Sequence, residues 1–183
     1  MSRPSFLLHT VDDPEPLLWG GPMAHEPYGQ ALLASLPSEP AWLKRLRDAE
    51  RGREKVLHFL SAFSSAPVCQ PSRWSTLTGR YASAGTLNGS ANVFFNMRPP
   101  PRPGSLPYTL LRDGYSTAHF GKYHAHHLHG ESYASMLNQV KAVGFSTVGA
   151  LYPGNLYDGP TPVAAHLPEW VVHAAREWLE RKI

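Results

Sequence analysis

The residues best suited to chemistry surround the chain's single cysteine. Residues 69–80 read Cys-Gln-Pro-Ser-Arg-Trp-Ser-Thr-Leu-Thr-Gly-Arg. Pro71 suits the first turn of a helix, where its missing N–H would have no partner anyway, and Gly79 suits a helix end. The pattern therefore predicts a loop feeding a short helix over 72–78. Cys69 would stand at its start, where unpaired backbone N–H groups favour an oxyanion or a bound anionic group. A lone cysteine is ordinarily one more buried small hydrophobe, and only the residues around this one argue otherwise. A second group of chemical interest is Asp12-Asp13, directly after the apolar run Ser5 to Val11. A buried parallel strand fits that run, which puts the carboxylates at its carboxyl end, the edge where open α/β sheets bind ligands. Read alone, Asp-Asp-Pro is equally a surface turn.

The segment 69–80 resembles the first signature of the sulfatase family, Cys-x-Pro-Ser-Arg-x-x-x-Leu-Thr-Gly-Arg, at every fixed position. Residues 114–124, Gly-Tyr-Ser-Thr-Ala-His-Phe-Gly-Lys-Tyr-His, resemble the family's second signature, a strand ending in Gly-Lys-aromatic-His. Residues 3–13 resemble its first strand, whose paired aspartates bind calcium. The resemblance implies that Cys69 is oxidised to formylglycine by a formylglycine-generating enzyme. It also implies Ca²⁺, or Mg²⁺, on Asp12, Asp13 and residue 69, since adjacent carboxylates repel unless a cation sits between them and hard oxygens suit these ions. Arg73 would stabilise the formylglycine. Lys122 would be a compact cation against a sulfate oxygen, and His124 a hydrogen-bond or proton-transfer partner. The implied activity is hydrolysis of sulfate monoesters: one hydroxyl of the hydrated aldehyde attacks sulfur, and the second collapses to expel sulfate. Two alternatives stay open, a phosphonate or phosphate monoester hydrolase of the same superfamily, and a non-catalytic sulfatase-like fragment with a binding or regulatory role.

Positioning these groups falls to short elements, because eighteen prolines and fifteen glycines interrupt the chain. A basic helix is expected after Ser38, with Pro40 in its first turn and Gly52 as its break; its interspersed acids mark a solvated face. Val93 to Phe95 reads as a short strand and 98–104 as a rigid, partly polyproline connector. A helix over 106–112 ends at Asp113-Gly114, and Tyr115 to Phe120 forms the strand that carries Lys122 and His124. Ser132 to Val143 has helical apolar spacing, with Gly144 as its stop. A Gly- and Pro-rich loop is expected from there to Leu167. Pro168 then opens a final helix with a stripe of Val171, Ala174, Ala175, Trp178 and Leu179. His124, His126, His127 and His129 raise the idea of a transition-metal centre, but their spacing matches no zinc motif. His126, His127 and His129 are expected as loop residues near the pocket mouth.

The expected fold class is α/β and, by resemblance, alkaline-phosphatase-like: a mostly parallel sheet flanked by helices, and incomplete. A chain of 183 residues, 42% hydrophobic and 17% charged, suits one domain, the N-terminal part of a sulfatase domain over 1–183. The family's later half, with further calcium and pocket residues, would lie on a longer or separate chain. Residues 1–183 alone are accordingly expected to bind calcium weakly and to turn over little sulfate ester. Net charge +3 suits an anionic ligand, while scattered basic residues do not make a nucleic-acid surface. One cysteine excludes an internal disulfide. No signal peptide or membrane-spanning stretch is visible, so the sequence leaves the compartment open and predicts no membrane partner.

Overall fold

The structure, a computed structural model, describes residues 63–86, 97–130, 132–153 and 168–182, together with Leu8, Asp48, Arg51, Gly52 and Pro162. The chain divides into two compact units, 1–63 and 64–183. In the first, Asp48 is helical and Arg51-Gly52 form a turn, with Gly52 at φ 69°, which agrees with a basic helix broken at that glycine. Of the buried strand expected at 5–11 only Leu8 is described, and it lies outside any strand and is 67% exposed, against that expectation; the strand expected at 93–95, and Asp12 and Asp13, lie outside the described residues.

The second unit is built on a β-α-β segment. Strand β1 (Ala118–Lys122) pairs in parallel with β2 (Thr147–Tyr152). Parallel neighbours need a crossover, and the helix Tyr133–Ala142 is part of it. Among the described residues of this unit two other α-helices come earlier, α1 (Cys69–Thr78) and α2 (Leu106–Arg112); the crossover helix is therefore α3, and Pro168–Glu180 is α4. A clasp of hydroxyls starts the sheet. Thr117 Oγ1 donates to the Gly144 carbonyl at 2.9 Å, and Ser146 Oγ donates to the Thr117 carbonyl at 2.6 Å.

Sequence reading anticipates α2, α3 and α4 closely, because each has its start or stop written in one residue. Ser105 caps α2 by accepting from the Tyr108 N–H, and Ser132 caps α3 by accepting from the Ser135 N–H. Two elements differ from expectation. The first helix begins at Cys69 and not at Ser72, so the cysteine is its first residue. The segment after Gly144, expected as loop, contains β2; its Gly149 and Pro153 are punctuation at places where the strand has reasons to tolerate them. Gly149 lies under the Phe120 ring, and Pro153 follows the strand's last residue.

The core lies between α1, α3 and the sheet. Met136 and Val140, one helical turn apart, bury against Val148 and Leu151, and Trp74 on α1 is 1% exposed with its Nε1 donating to the Arg98 carbonyl at 2.9 Å. That bond, with Arg98 N–H on the Gly85 carbonyl at 2.8 Å, pins the start of the proline-rich connector. On the other face α4 covers both strands: Phe120 meets Trp178 at 6.2 Å, Tyr152 meets Trp170 at 5.5 Å, and Gly121 lies beneath Val171. Trp170, Val171, Ala174, Ala175 and Trp178 are half-buried, whereas Leu179 of the expected stripe is 42% exposed.

Gly144 joins α3 to the clasp at φ 129°, and a Cβ there would stand 2.4 Å from the Tyr108 backbone nitrogen. Nothing flexible can yield at that point. Gly144→Ala is expected to cost about 3 kcal/mol, overpacking and backbone strain together. Chemical denaturation of the two proteins measures the difference.

Candidate active site

Helix α1 and the end of β1 meet along one turn. Cys69 and Arg73 are four residues apart and share a helix face, about 6 Å along the axis. Lys122 and His124 are two residues apart at the end of a strand, about 6.6 Å along it. The two repeats match, and the structure joins them at both points. Cys69 Sγ lies 3.3 Å from His124 Nδ1, and the Arg73 guanidinium donates to the Lys122 carbonyl at 2.7 Å. The four residues come from segments about fifty positions apart in sequence, and all four are half-buried.

Each partner is held by its own element. Val68 precedes α1 with extended backbone, and no side chain caps the helix, so its amino end is turned toward the group borne by Cys69. At the far end Gly79 adopts φ 66° and its N–H returns to the Ser75 carbonyl at 2.8 Å. The strand side is shaped by an irregularity: β2 has one residue more than β1 between the pairs Phe120–Gly149 and Gly121–Leu151. Ala150 takes up the excess at φ 44°, opposite Gly121 at φ 91°. The ladder then continues past the strand, Tyr123 N–H to the Tyr152 carbonyl at 2.8 Å and His124 N–H to the Pro153 carbonyl at 3.1 Å. His124 itself has φ 40°, a left-handed conformation that costs a non-glycine residue on the order of 1–2 kcal/mol and is tolerated where the surroundings hold it.

Beneath the site lie three residues that sequence reasoning did not select. His119 on β1 stacks edge-on to Tyr123 at 5.5 Å and against Phe145 at 5.3 Å, and its Nε2 is buried without a hydrogen bond. Burial, and then the positive charge of Arg73, hold it down to a pKa of about 4. Tyr123 is 1% exposed, and burial raises its phenol well above the ordinary range. His126 lies in the loop after β1 as expected but is only 4% exposed, which corrects the expectation of an exposed place at the pocket mouth; His127 and His129 are exposed loop residues. Burial first, then the neighbouring His129 and His127, lower His126 to about 4. The signal that could have found His119 and Tyr123 is alternation, since they share a side with buried Gly121 and Ala125 while Lys122 and His124 are half-buried; His126, buried next to Ala125, falls outside that pattern.

Both histidines are neutral when folded, which fixes a pH dependence. Their folded pKa values lie below the unfolded value near 6.5, so below that pH the unfolded chain binds protons that the folded chain refuses. Stability is full above about pH 6.5 and falls as the pH drops toward 4, by at most about 3 kcal/mol per histidine. Urea unfolding at pH 7.5 and pH 5 should show the loss, and His126→Asn should flatten it.

Among the described residues, no three His, Cys, Asp or Glu side chains lie together as a metal site. The His124 imidazole beside Cys69 and the Arg73 guanidinium one turn along the same helix are not oxygen donors, whereas calcium takes six to eight oxygens. The resemblance would put calcium on Asp12, Asp13 and residue 69, and the two aspartates lie outside the described residues. No helix among the described residues is long and apolar enough to cross a membrane.

No curated protein and no solved structure matches the chain. The sulfatase family model matches residues 37–182, well over half of the chain, and this match covers α1 with Cys69 and Arg73 as well as the strand end with Lys122 and His124. The chain belongs to the sulfatase family.

Proposed function

We propose that this chain forms the amino-terminal part of a sulfatase domain of the alkaline-phosphatase-like class, and that it hydrolyses sulfate monoesters with a formylglycine made from Cys69. The observation that carries the reading is the meeting of Cys69 with His124 and of Arg73 with Lys122, which brings two sulfatase-like motifs onto one site. Cys69 fits the modification: it opens an uncapped helix and is half-buried, so a group on its Cβ meets the helix's amino end and the site's cations. When present, formylglycine supplies a hydrated aldehyde with one hydroxyl to attack sulfur and another whose collapse regenerates the carbonyl.

The chain's own residues do the rest. His124 Nδ1, placed within hydrogen-bond reach of the atom on the Cys69 Cβ, takes a proton from that oxygen or returns one to it. Bonded to the Lys122 carbonyl, the Arg73 guanidinium keeps the helix and the strand end in register and adds positive charge at the site. Lys122 adds a compact cation for a non-bridging oxygen of the transferring group, the usual electrostatic task in such transfers. Arg73 therefore serves both fold and anion, where the sequence suggested the anion alone. Asp12 and Asp13 are the proposed calcium donors, and the formylglycine-generating enzyme is the proposed partner in maturation. The described residues do not suit calcium, so the roles assigned to them involve only proton transfer and fixed charge.

The test is hydrolysis of matched aryl sulfate and aryl phosphonate substrates by the polypeptide of the complete reading frame, modified at residue 69. The expected result is a preference for the sulfate. A preference for the phosphonate would move the chain to the phosphonate hydrolases of the superfamily, and hydrolysis of neither would leave a binding or regulatory protein.

A further inference from the structure

The residues that set the site's geometry continue past the signature. Tyr123 stands between Lys122 and His124, and its ring points the opposite way, into the core. There the phenol oxygen lies 3.2 Å from His126 Nδ1, with the two rings edge-on at 5.3 Å. A buried phenol must place its proton on an acceptor, and Nδ1 is the only hydrogen-bond partner that Tyr123 Oη has among the described residues. The phenol therefore donates and Nδ1 accepts, which puts the imidazole's hydrogen on Nε2. The low basicity of His126 and the raised phenol agree with one fixed direction for this bond. On its other side Tyr123 meets the edge of His119, so its ring is gripped from two directions. His126 is itself held, because Ala125 and Leu128 beside it are buried in the core.

We propose that His126 is a positioning residue of the site, acting through Tyr123: its Nδ1 lone pair fixes the phenol, and the fixed phenol sets where Lys122 and His124 stand against Arg73 and Cys69. The proposal rests on the sulfatase reading only for what the site does, not for how it is held. The turn 122–124 requires such a fixture. His124 sits in a left-handed conformation that the backbone would leave if the adjacent side chain were loose, and β1 ends two residues before it. A neutral histidine suits the task because a protonated Nδ1 could not accept from the phenol.

Three variants of the full chain test this, His126→Leu, His126→Asn and Tyr123→Phe, each checked for folding by circular dichroism. In asparagine the side-chain oxygen stands close to where Nδ1 was, so it can replace the acceptor, while leucine cannot. NMR should show wild-type His126 as the Nε2–H tautomer at neutral pH, with a cross-relaxation contact between the Cys69 β-protons and the His124 ring. That contact should vanish in Tyr123→Phe and His126→Leu and persist in His126→Asn. Affinity for inorganic sulfate should fall about five- to tenfold in the first two, the value of one lost hydrogen bond, and recover in the third. An Nδ1–H tautomer, a retained contact in folded His126→Leu or Tyr123→Phe, or its loss in folded His126→Asn each overturns the proposal. Should the Leu variant not fold, Tyr123→Phe decides. Should the wild type bind no sulfate and hydrolyse no ester, the sulfatase reading fails while the NMR contact still judges the role of His126.

Discussion

Protein made in a host with a formylglycine-generating enzyme will carry an aldehyde at residue 69 in place of the thiol, and Cys69→Ala will reduce sulfate-ester hydrolysis by at least about 10³-fold, the scale on which removal of a covalent nucleophile acts. The motive is the Cys-Gln-Pro-Ser-Arg sequence together with its place as the first turn of α1, beside His124. Mass spectrometry of the peptide containing residue 69 measures the first effect, and an aryl sulfate assay measures the second. A free thiol, from a host that converts a control sulfatase, would remove formylglycine from the account. Cys69→Ala is expected to fold like the parent, because its sulfur is half-buried and belongs to no core contact.

Lys122→Ala and Arg73→Ala should part company in stability while agreeing in activity. In the proposed mechanism each supplies positive charge for the transferring group, and loss of such a group should cost on the order of 10²–10³ in turnover. Arg73 also makes the 2.7 Å charged hydrogen bond that ties α1 to the end of β1, so its removal should cost about 2 kcal/mol of folding free energy as well. Lys122 contributes to that tie through its backbone carbonyl, which alanine keeps, so Lys122→Ala should stay within about 1 kcal/mol of the parent. Paired denaturation and turnover measurements separate the two roles. Equal destabilisation would show that the tie does not depend on the guanidinium, and turnover within a few-fold of the parent in Lys122→Ala would contradict its role on the anion.

The candidate site residues were legible in the sequence because sulfatase signatures are dense in residue types that chemistry restricts: a cysteine before Pro-Ser-Arg, and a Lys-aromatic-His strand end. What brings them together was not. The match of one helical turn to two strand residues requires the register of α1 on β1, which no local pattern encodes. Strand β2 was hidden for a related reason. Thr147 to Tyr152 includes Gly149, which looks like a loop residue in isolation and is explained only by the Phe120 ring above it. The extra residue at Ala150 is likewise invisible, since its left-handed backbone is imposed by pairing with β1. The burial of His126 was hidden because a run of four histidines within six positions reads as an exposed polar loop, and His126 is in that loop but turned inward. Its burial depends on Tyr123 turning inward, and that follows from the strand's alternation once the strand's end is known.

The same alternation gives the segment 121–124 two separate histories to record. Gly121 and Tyr123 answer to packing, one under Val171 and the other between two histidine rings, while in the proposed function Lys122 and His124 answer to the anion. A lineage that abandoned catalysis would still be constrained at the first pair and released at the second. Substitution would then accumulate at every other position of one short stretch, with Cys69 and Arg73 diverging in tone: the cysteine released, the arginine still held by its carbonyl. Related chains that keep Gly121, Tyr123 and Arg73 but vary Lys122, His124 and Cys69 would be retired catalysts living on as scaffolds. Chains that keep all six, as the present sequence does, retain what the proposed mechanism asks of this stretch and of α1.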